Sequence, residues 1–140
     1  KVPYILMHMR GSPENMMNKT NYENVTKDVC KYFSERIDKA KSFGINDIII
    51  DPGFGFSKTT QQNYELFNNL EFFKEFQRPI IVGISRKSMI YKILNTTPEK
   101  ALNGSSVLHT ISLMKGANIL RTHDVKEALE CVKIVSQLNG

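Results

Sequence analysis

Several familiar classes are excluded by what this 140-residue sequence lacks. It has two cysteines, Cys30 and Cys131, far apart in the chain. They form neither a disulfide framework nor a metal-ligand spacing, so both read as buried thiols inside helices. No apolar run approaches the roughly 20 residues that a membrane-spanning helix needs, so no membrane partner is expected. Nor is there a block of like charge. The net charge of +5 is scattered along the chain, which argues against nucleic acid and fits an anionic small molecule. A Ser-His-Asp arrangement, a zinc set, paired glycosidase carboxylates and a hairpin signal are all missing. Four sequons, at Asn18, Asn24, Asn95 and Asn103, reflect an Asn- and Thr-rich composition rather than secretion. An initiator Met is missing too: Lys1-Val2-Pro3 runs straight into a strand, so a segment of a longer polypeptide is expected, with any upstream targeting signal out of view. A cytoplasmic location is the expectation.

What is present is one domain's worth of alternating strand and helix patterns. Tyr4 to Met9 is an apolar run closed by the breaker Arg10-Gly11-Ser12-Pro13. After an Asn-rich loop, Val25, Val29, Phe33, Ile37 and Ala40 recur at helical spacing from about Tyr22, with Gly44 placed for a C-cap. Asp47 to Ile50 is a second buried strand, ending at Asp51-Pro52-Gly53-Phe54-Gly55-Phe56. Thr59 or Thr60 then caps a helix with Tyr64, Phe67, Leu70 and Phe73 on one face, and Pro79 stops it. Ile80 to Ile84 is the third strand, followed by Ser85-Arg86-Lys87-Ser88 and a short helix to Leu94. Thr97-Pro98 predicts the start of another helix with Ala101, Leu108, Ile111 and Met114 buried and Gly116 at its end. Asn118 to Leu120 is the fourth strand, running into Arg121-Thr122-His123-Asp124. Asp124 and Glu127 have capping-box spacing, and Val125, Leu129, Val132, Val135 and Leu138 mark the closing helix. This α/β order implies a parallel sheet with right-handed crossovers. Such units make either a small doubly wound sheet or half of an eight-fold barrel, and the order alone does not choose.

In parallel α/β folds, ligands meet the carboxyl ends of the strands. Here those ends carry Met7-His8-Met9-Arg10, Asp51, Ser85-Arg86-Lys87-Ser88 and Arg121-Thr122-His123, so every strand sends polar groups to one rim. Asp51 either caps local backbone or accepts hydrogen bonds from ligand N–H groups, and the Pro and two Gly behind it permit close approach. The Gly-x-Gly fragment lacks the later positions of a nucleotide fingerprint. Arg86 and Lys87 precede a helix start, where positive charge is unfavourable, so a counter-charge or an anionic ligand is expected. Arg121 and His123 share a face of extended chain. They form either a phosphate cradle or a rim Arg paired with Asp51 beside a capping His. His8 and His109 read as structural. Phe54, Phe56, Met7 and Met9 are core residues or flank a flat heterocycle. Groups of this kind suit loss of an anionic leaving group better than proton abstraction.

In series, Leu6-Met7-His8-Met9-Arg10-Gly11, Asp51-Pro52-Gly53-Phe54-Gly55-Phe56, Gly83-Ile84-Ser85-Arg86-Lys87-Ser88 and Arg121-Thr122-His123-Asp124-Val125 resemble the motifs of the dihydropteroate synthase family in order and spacing. The Asn and Lys bias resembles the malaria-parasite versions, usually fused to a hydroxymethyldihydropterin pyrophosphokinase. The resemblance implies a (β/α)8 TIM barrel, of which residues 1–140 are like the C-terminal half, strands five to eight and their helices. The upstream half of the same polypeptide would be its partner. It implies a transferase of folate biosynthesis, joining p-aminobenzoate to 6-hydroxymethyl-7,8-dihydropterin pyrophosphate to give 7,8-dihydropteroate and pyrophosphate. Family members need Mg²⁺, are sulfonamide targets and form homodimers through late helices.

Carried over by position, Asp51 would bind the pterin amino and ring N–H groups, and Lys87 the pterin ring beside p-aminobenzoate. Ser88 would help hold the p-aminobenzoate carboxylate. Arg121 would stack on the pterin and, with His123, face the pyrophosphate, and Thr122 between them is a further substrate-binding candidate. Met7, Phe56 and Gly83 would line the pocket. Asp51, Lys87 and Arg121 are the catalytic candidates. The Mg²⁺ ligand and two mobile loops of the family belong to its first four strands, so no metal ligand is assigned here and this segment alone is expected to show no turnover. A pterin-binding methyltransferase is the alternative within the same barrel group. A phospho-receiver domain is a remote one, because His8-Met9-Arg10 stands where such domains need an acidic pair.

Overall fold

The computed structural model describes residues 2–138, so Lys1 lies outside the described residues. Strands β1 (Tyr4–Met7), β2 (Ile48–Asp51), β3 (Ile81–Val82) and β4 (Ile119–Leu120) alternate with helices α1 (Val25–Ser42), α2 (Thr60–Asn68), α3 (Ser88–Tyr91), α4 (Leu102–Met114) and α5 (Val125–Leu138). β1 runs parallel to β2 from Tyr4 beside Ile48 to Met7 beside Asp51, and β3 runs parallel to β4. A parallel bridge between Ile50 and Ile80 joins the two pairs. The carboxyl ends of all four strands therefore meet at one rim. Among the described residues, no strand covers the outer edge of β1 or of β4.

Local chemistry explains most boundaries. Val25, Val29, Phe33, Ile37 and Ala40 of α1 are all buried, and each large one contributes about 1.5–3 kcal/mol by leaving water. Asn24 caps the helix by accepting from the Lys27 N–H at 2.8 Å, which gives one sequon a structural role. At the other end Gly44, at φ +76°, donates to the Lys41 carbonyl, and Ile45 donates to that of Ala40, closing the helix in a Schellman turn. Thr59, rather than Thr60, caps α2 and exchanges hydrogen bonds with Gln62 in a capping box.

Three expectations fail here. The helix after Thr59 stops at Asn68, and a 3-10 helix, Leu70–Phe76, carries the chain on while keeping Leu70 and Phe73 buried. Thr97 makes no side-chain cap and Pro98 opens only a 3-10 turn, Pro98–Lys100, before α4 begins. Of the expected stripe, Ala101 and Leu108 are buried, Ile111 packs on the core half-buried and Met114 is exposed, while Ser105, His109 and Ser112 of α4 turn inward as well. Its inward hydroxyls are satisfied locally, Ser105 donating to Ala101 O and Ser112 to Leu108 O. A Cβ at Gly104 would collide with Ile90, so α4 lies hard against α3.

Helix α5 buries Ala128, Cys131 and Val135, but Val125, Leu129, Val132 and Leu138 are exposed. It has two apolar faces, one packed within the chain and one, with β4, lining an open groove of about 520 Å³. Cys131 is buried and Cys30 partly so. No helix among the described residues is long and apolar enough to cross a membrane.

Candidate active site at the strand ends

Asp51 closes β2 as its last residue. Its Oδ1 accepts the Gly53 N–H at 2.8 Å, so local capping takes one carboxylate oxygen. Oδ2 has no protein hydrogen-bond partner among the described residues, which leaves it for a ligand donor. Gly53 has φ +72°, and a Cβ there would collide with the His8 carbonyl oxygen. Phe54 is fully buried, its ring 5.6 Å from that of Phe67, and so belongs to the core. Phe56 is half-buried, with the Lys87 ammonium 4.7 Å from its ring centroid. Burial pushes the Asp51 carboxyl above its ordinary range, against the pull of the Gly53 N–H and of Lys87, Lys58 and Arg121.

The β3 end sends successive side chains to different addresses. Ser85 turns to His123: its Oγ lies 2.9 Å from His123 Nδ1 and accepts the His123 N–H at 3.2 Å. Arg86 adopts φ +54°, an uncommon left-handed conformation for a non-glycine residue. Its guanidinium grips Asp124 bidentately at 2.9 and 2.8 Å and donates to the Pro98 and Glu99 carbonyls. The expected counter-charge is therefore Asp124, which Arg86 holds below the usual carboxylate range. Spent on Arg86, that carboxylate does not form the anticipated capping box with Glu127 among the described residues. Lys87 reaches back to the Phe54 carbonyl. Burial lowers the Lys87 ammonium to about 8, with Asp51 opposing and Arg121 reinforcing the drop. Ser88 is the first residue of α3 and half-buried.

Between these loops and β4 lies a cleft of about 540 Å³ lined by Gly83, Ser85, Arg86, Lys87, Pro98, Arg121, Thr122 and His123. Gly83 is its floor: a Cβ there would touch the Arg121 side chain at 3.8 Å and Lys87 Nζ at 4.0 Å. Arg121 and His123 are exposed on its far wall, and no ion pair joins Arg121 to Asp51 among the described residues. Thr122 accepts the Asp124 N–H at 3.0 Å, a turn contact. Asp51, Met7 and Phe56 lie outside the cleft lining, on the β1–β2 side, where Met7 pairs with Asp51 in register. His8 and His109 are buried with one unpartnered ring nitrogen each. Burial, Lys58 and Arg10 hold His8 at about 3, so it is neutral at physiological pH.

Three contributors escaped the sequence reading: Ser85 as the partner of His123, and the buried Lys58 and Asn63 beneath the Asp51 loop. Nothing in a single sequence separates a buried loop lysine from a solvated one. No group of three or more His, Cys, Asp or Glu side chains able to hold a metal occurs among the described residues. The rim carboxylate is faced by cations, a donor set suited to an anionic, N–H-rich ligand and not to Mg²⁺.

Residues 1–123 fit the profile described as pterin binding enzyme. The chain belongs to the pterin-binding enzyme family. Within that family it is 43% identical over 136 residues to the dihydropteroate synthase of Escherichia coli strain K12, covering 96% of this chain and 48% of that protein. It superimposes with a TM-score of 0.95 and 39% identity on Yersinia pestis dihydropteroate synthase in a sulfonamide drug complex, over 99% of this chain and 51% of the other. The Thermus thermophilus synthase, solved with 4-aminobenzoate, also gives 0.95, at 32% identity over 99% of this chain and 58% of its own. The chain thus spans about half the length of the curated relatives it matches. As a member of this family it has the fold of part of a TIM barrel, which decides between the two closures left open by element order. The phospho-receiver reading falls with this result.

Proposed function

We propose that this chain is the C-terminal half of a dihydropteroate synthase barrel and carries its pterin site. The carrying observation is the convergence on one rim of Asp51 Oδ2, without a hydrogen-bond partner among the described residues, with Lys87 and Arg121, which meet over Gly83. In this reading Asp51 accepts the pterin N–H donors, Lys87 faces the ring beside p-aminobenzoate, and Ser88 helps hold the p-aminobenzoate carboxylate. Arg121, Thr122 and His123 face the pyrophosphate, while Met7, Phe56 and Gly83 line the pocket. The Thermus relative solved with 4-aminobenzoate supports that choice of substrate class.

The chemistry follows from charge. The pterin C–O bond breaks with both electrons leaving on pyrophosphate, toward the Arg121 side. The Asp51 carboxylate stabilises the resulting pterin cation. The arylamine lone pair then forms the new C–N bond and its proton is lost. Lys87, lowered to about 8, remains mostly protonated near neutrality yet sheds its proton at modest cost. In this reading the Mg²⁺ of the family would be held by the upstream half, and the residues described here bind, orient and stabilise charge without it.

Closure of the barrel by that upstream half would cover the free edges of β1 and β4 and the second apolar face of α5. A homodimer through the late helices and a cytoplasmic location go with the same reading. The test is pyrophosphate release from the pterin pyrophosphate by the full-length protein. Release that depends on p-aminobenzoate supports the synthase; methyl transfer without pyrophosphate release points to the methyltransferase alternative. Turnover by the isolated 140-residue chain would contradict the half-barrel assignment.

A further inference from the structure

Lys58 is 2% exposed, yet it forms no ion pair among the described residues and lies outside the cleft lining. Its ammonium donates to the Gly53 and Phe56 carbonyls, at 2.9 Å each. Asn63, equally buried on α2, accepts the Gly55 N–H at 2.8 Å and donates to the Thr59 carbonyl at 2.9 Å. Of the two carbonyls between those that Lys58 takes, that of Phe54 receives Lys87. Beyond the Gly53 N–H that Asp51 takes, three carbonyls and one N–H of this loop are thus held by Lys58, Asn63 and Lys87, of which Lys58 and Asn63 lie outside the cleft lining.

We propose that Lys58 and Asn63 are positioning residues for the pterin site: by anchoring the loop from beneath, they set the direction of Asp51, Phe56 and the Phe54 carbonyl that orients Lys87. The inference rests on the synthase reading for the identity of the ligand. A buried ammonium is costly unless its donors are satisfied, and here the acceptors that satisfy it are main-chain atoms of the loop itself. Its removal would free two carbonyls to turn outward, and with them the peptide planes that aim the neighbouring side chains.

The full-length protein and its Lys58→Met, Lys58→Arg and Asn63→Leu variants can be titrated calorimetrically with 6-hydroxymethylpterin and assayed for the KM of p-aminobenzoate. Each removal should weaken pterin binding about tenfold or more, the worth of one charge-assisted hydrogen bond. The KM for p-aminobenzoate should stay within about twofold of wild type, and Lys58→Arg should recover part of the pterin loss. Amide exchange at Gly53, Gly55 and Phe56 should quicken while α1 amides hold. Folded variants that bind pterin like wild type would overturn the proposal, as would equal loss of both ligands with a general fall in Tm. If Lys58→Met does not fold, Asn63→Leu, which keeps the buried cation, decides. If wild type itself takes no pterin, the synthase reading fails, and amide exchange still decides whether these residues hold the loop.

Discussion

The β2 and β3 ends of the sheet hold their polar groups with bonds inside the chain, whereas the β4 end leaves Arg121 and His123 at an exposed wall. Asp51 is tied to Gly53, Lys87 to Phe54 and Arg86 to Asp124. Arg121 has no side-chain hydrogen bond among the described residues, and His123 leans on the single hydroxyl of Ser85. The inner rim is organised before any ligand arrives, so its groups lose little freedom on binding. The outer rim faces the open edge of β4, and its order depends on what meets it.

The largest effect expected from that contrast is at Lys87. Lys87→Ala in the full-length protein should lower kcat/KM by about a hundredfold or more with little change in Tm. A fall in Tm with turnover intact would make Lys87 a structural cation. Next comes Gly53→Ala, which forces a side chain into a left-handed conformation against the His8 carbonyl. It should cost roughly 3 kcal/mol in urea denaturation, and a neutral result would mean that the inner rim is softer than described.

Arg86→Ala should lower Tm by roughly 5 °C, because it leaves Asp124 unpaired and two carbonyls without a donor. Stability should also rise with pH. Lys58 sits at about 7 and Lys87 at about 8, both lowered from 10.5 chiefly by burial. Above those values and below 10.5 the unfolded chain holds protons that the folded chain does not, so alkali favours folding. Lys58 faces Asp51, Lys87 and Arg10, and Lys87 faces Asp51 and Arg121. Urea titrations from about pH 7 to 9.5 should show a clear gain, the larger share of it from Lys58 and so absent in Lys58→Met. The smallest effect separates the two arginines: Arg121→Ala should shift Tm by no more than about 1 °C while impairing turnover.

Much of this was legible because periodicity and strand-end position are local properties. The stripe from Val25 to Ala40 gave α1, and strand-end position gave the rim that Asp51, Lys87 and Arg121 share. Legibility failed where burial depends on distant neighbours. Arg86 and Lys87 are adjacent cations, and only the fold sends one to Asp124, 38 positions on, and the other to Phe54. Phe54 and Phe56 are two residues apart, yet one packs on Phe67 and the other lies beneath Lys87. On α5 the periodicity held, but the apolar positions Val125, Leu129 and Val132 face a groove the chain itself does not fill. Helix α4 misled in the opposite sense, since serines that bond back to their own helix are as content inside as leucines.

The left-handed turn at Arg86 has a bearing on inheritance. Because one residue reverses direction there, Ser85, Arg86 and Lys87 serve a histidine partner, a structural carboxylate and the strand-end cleft in strict succession. Insertion of a single codon ahead of this stretch would carry the arginine to the cleft position, and loss of one would carry the lysine to the position that faces Asp124. Variation in the segment is thus confined to exchanges at fixed positions, and selection for ligand binding must act on Arg86, a side chain spent on holding the chain in place.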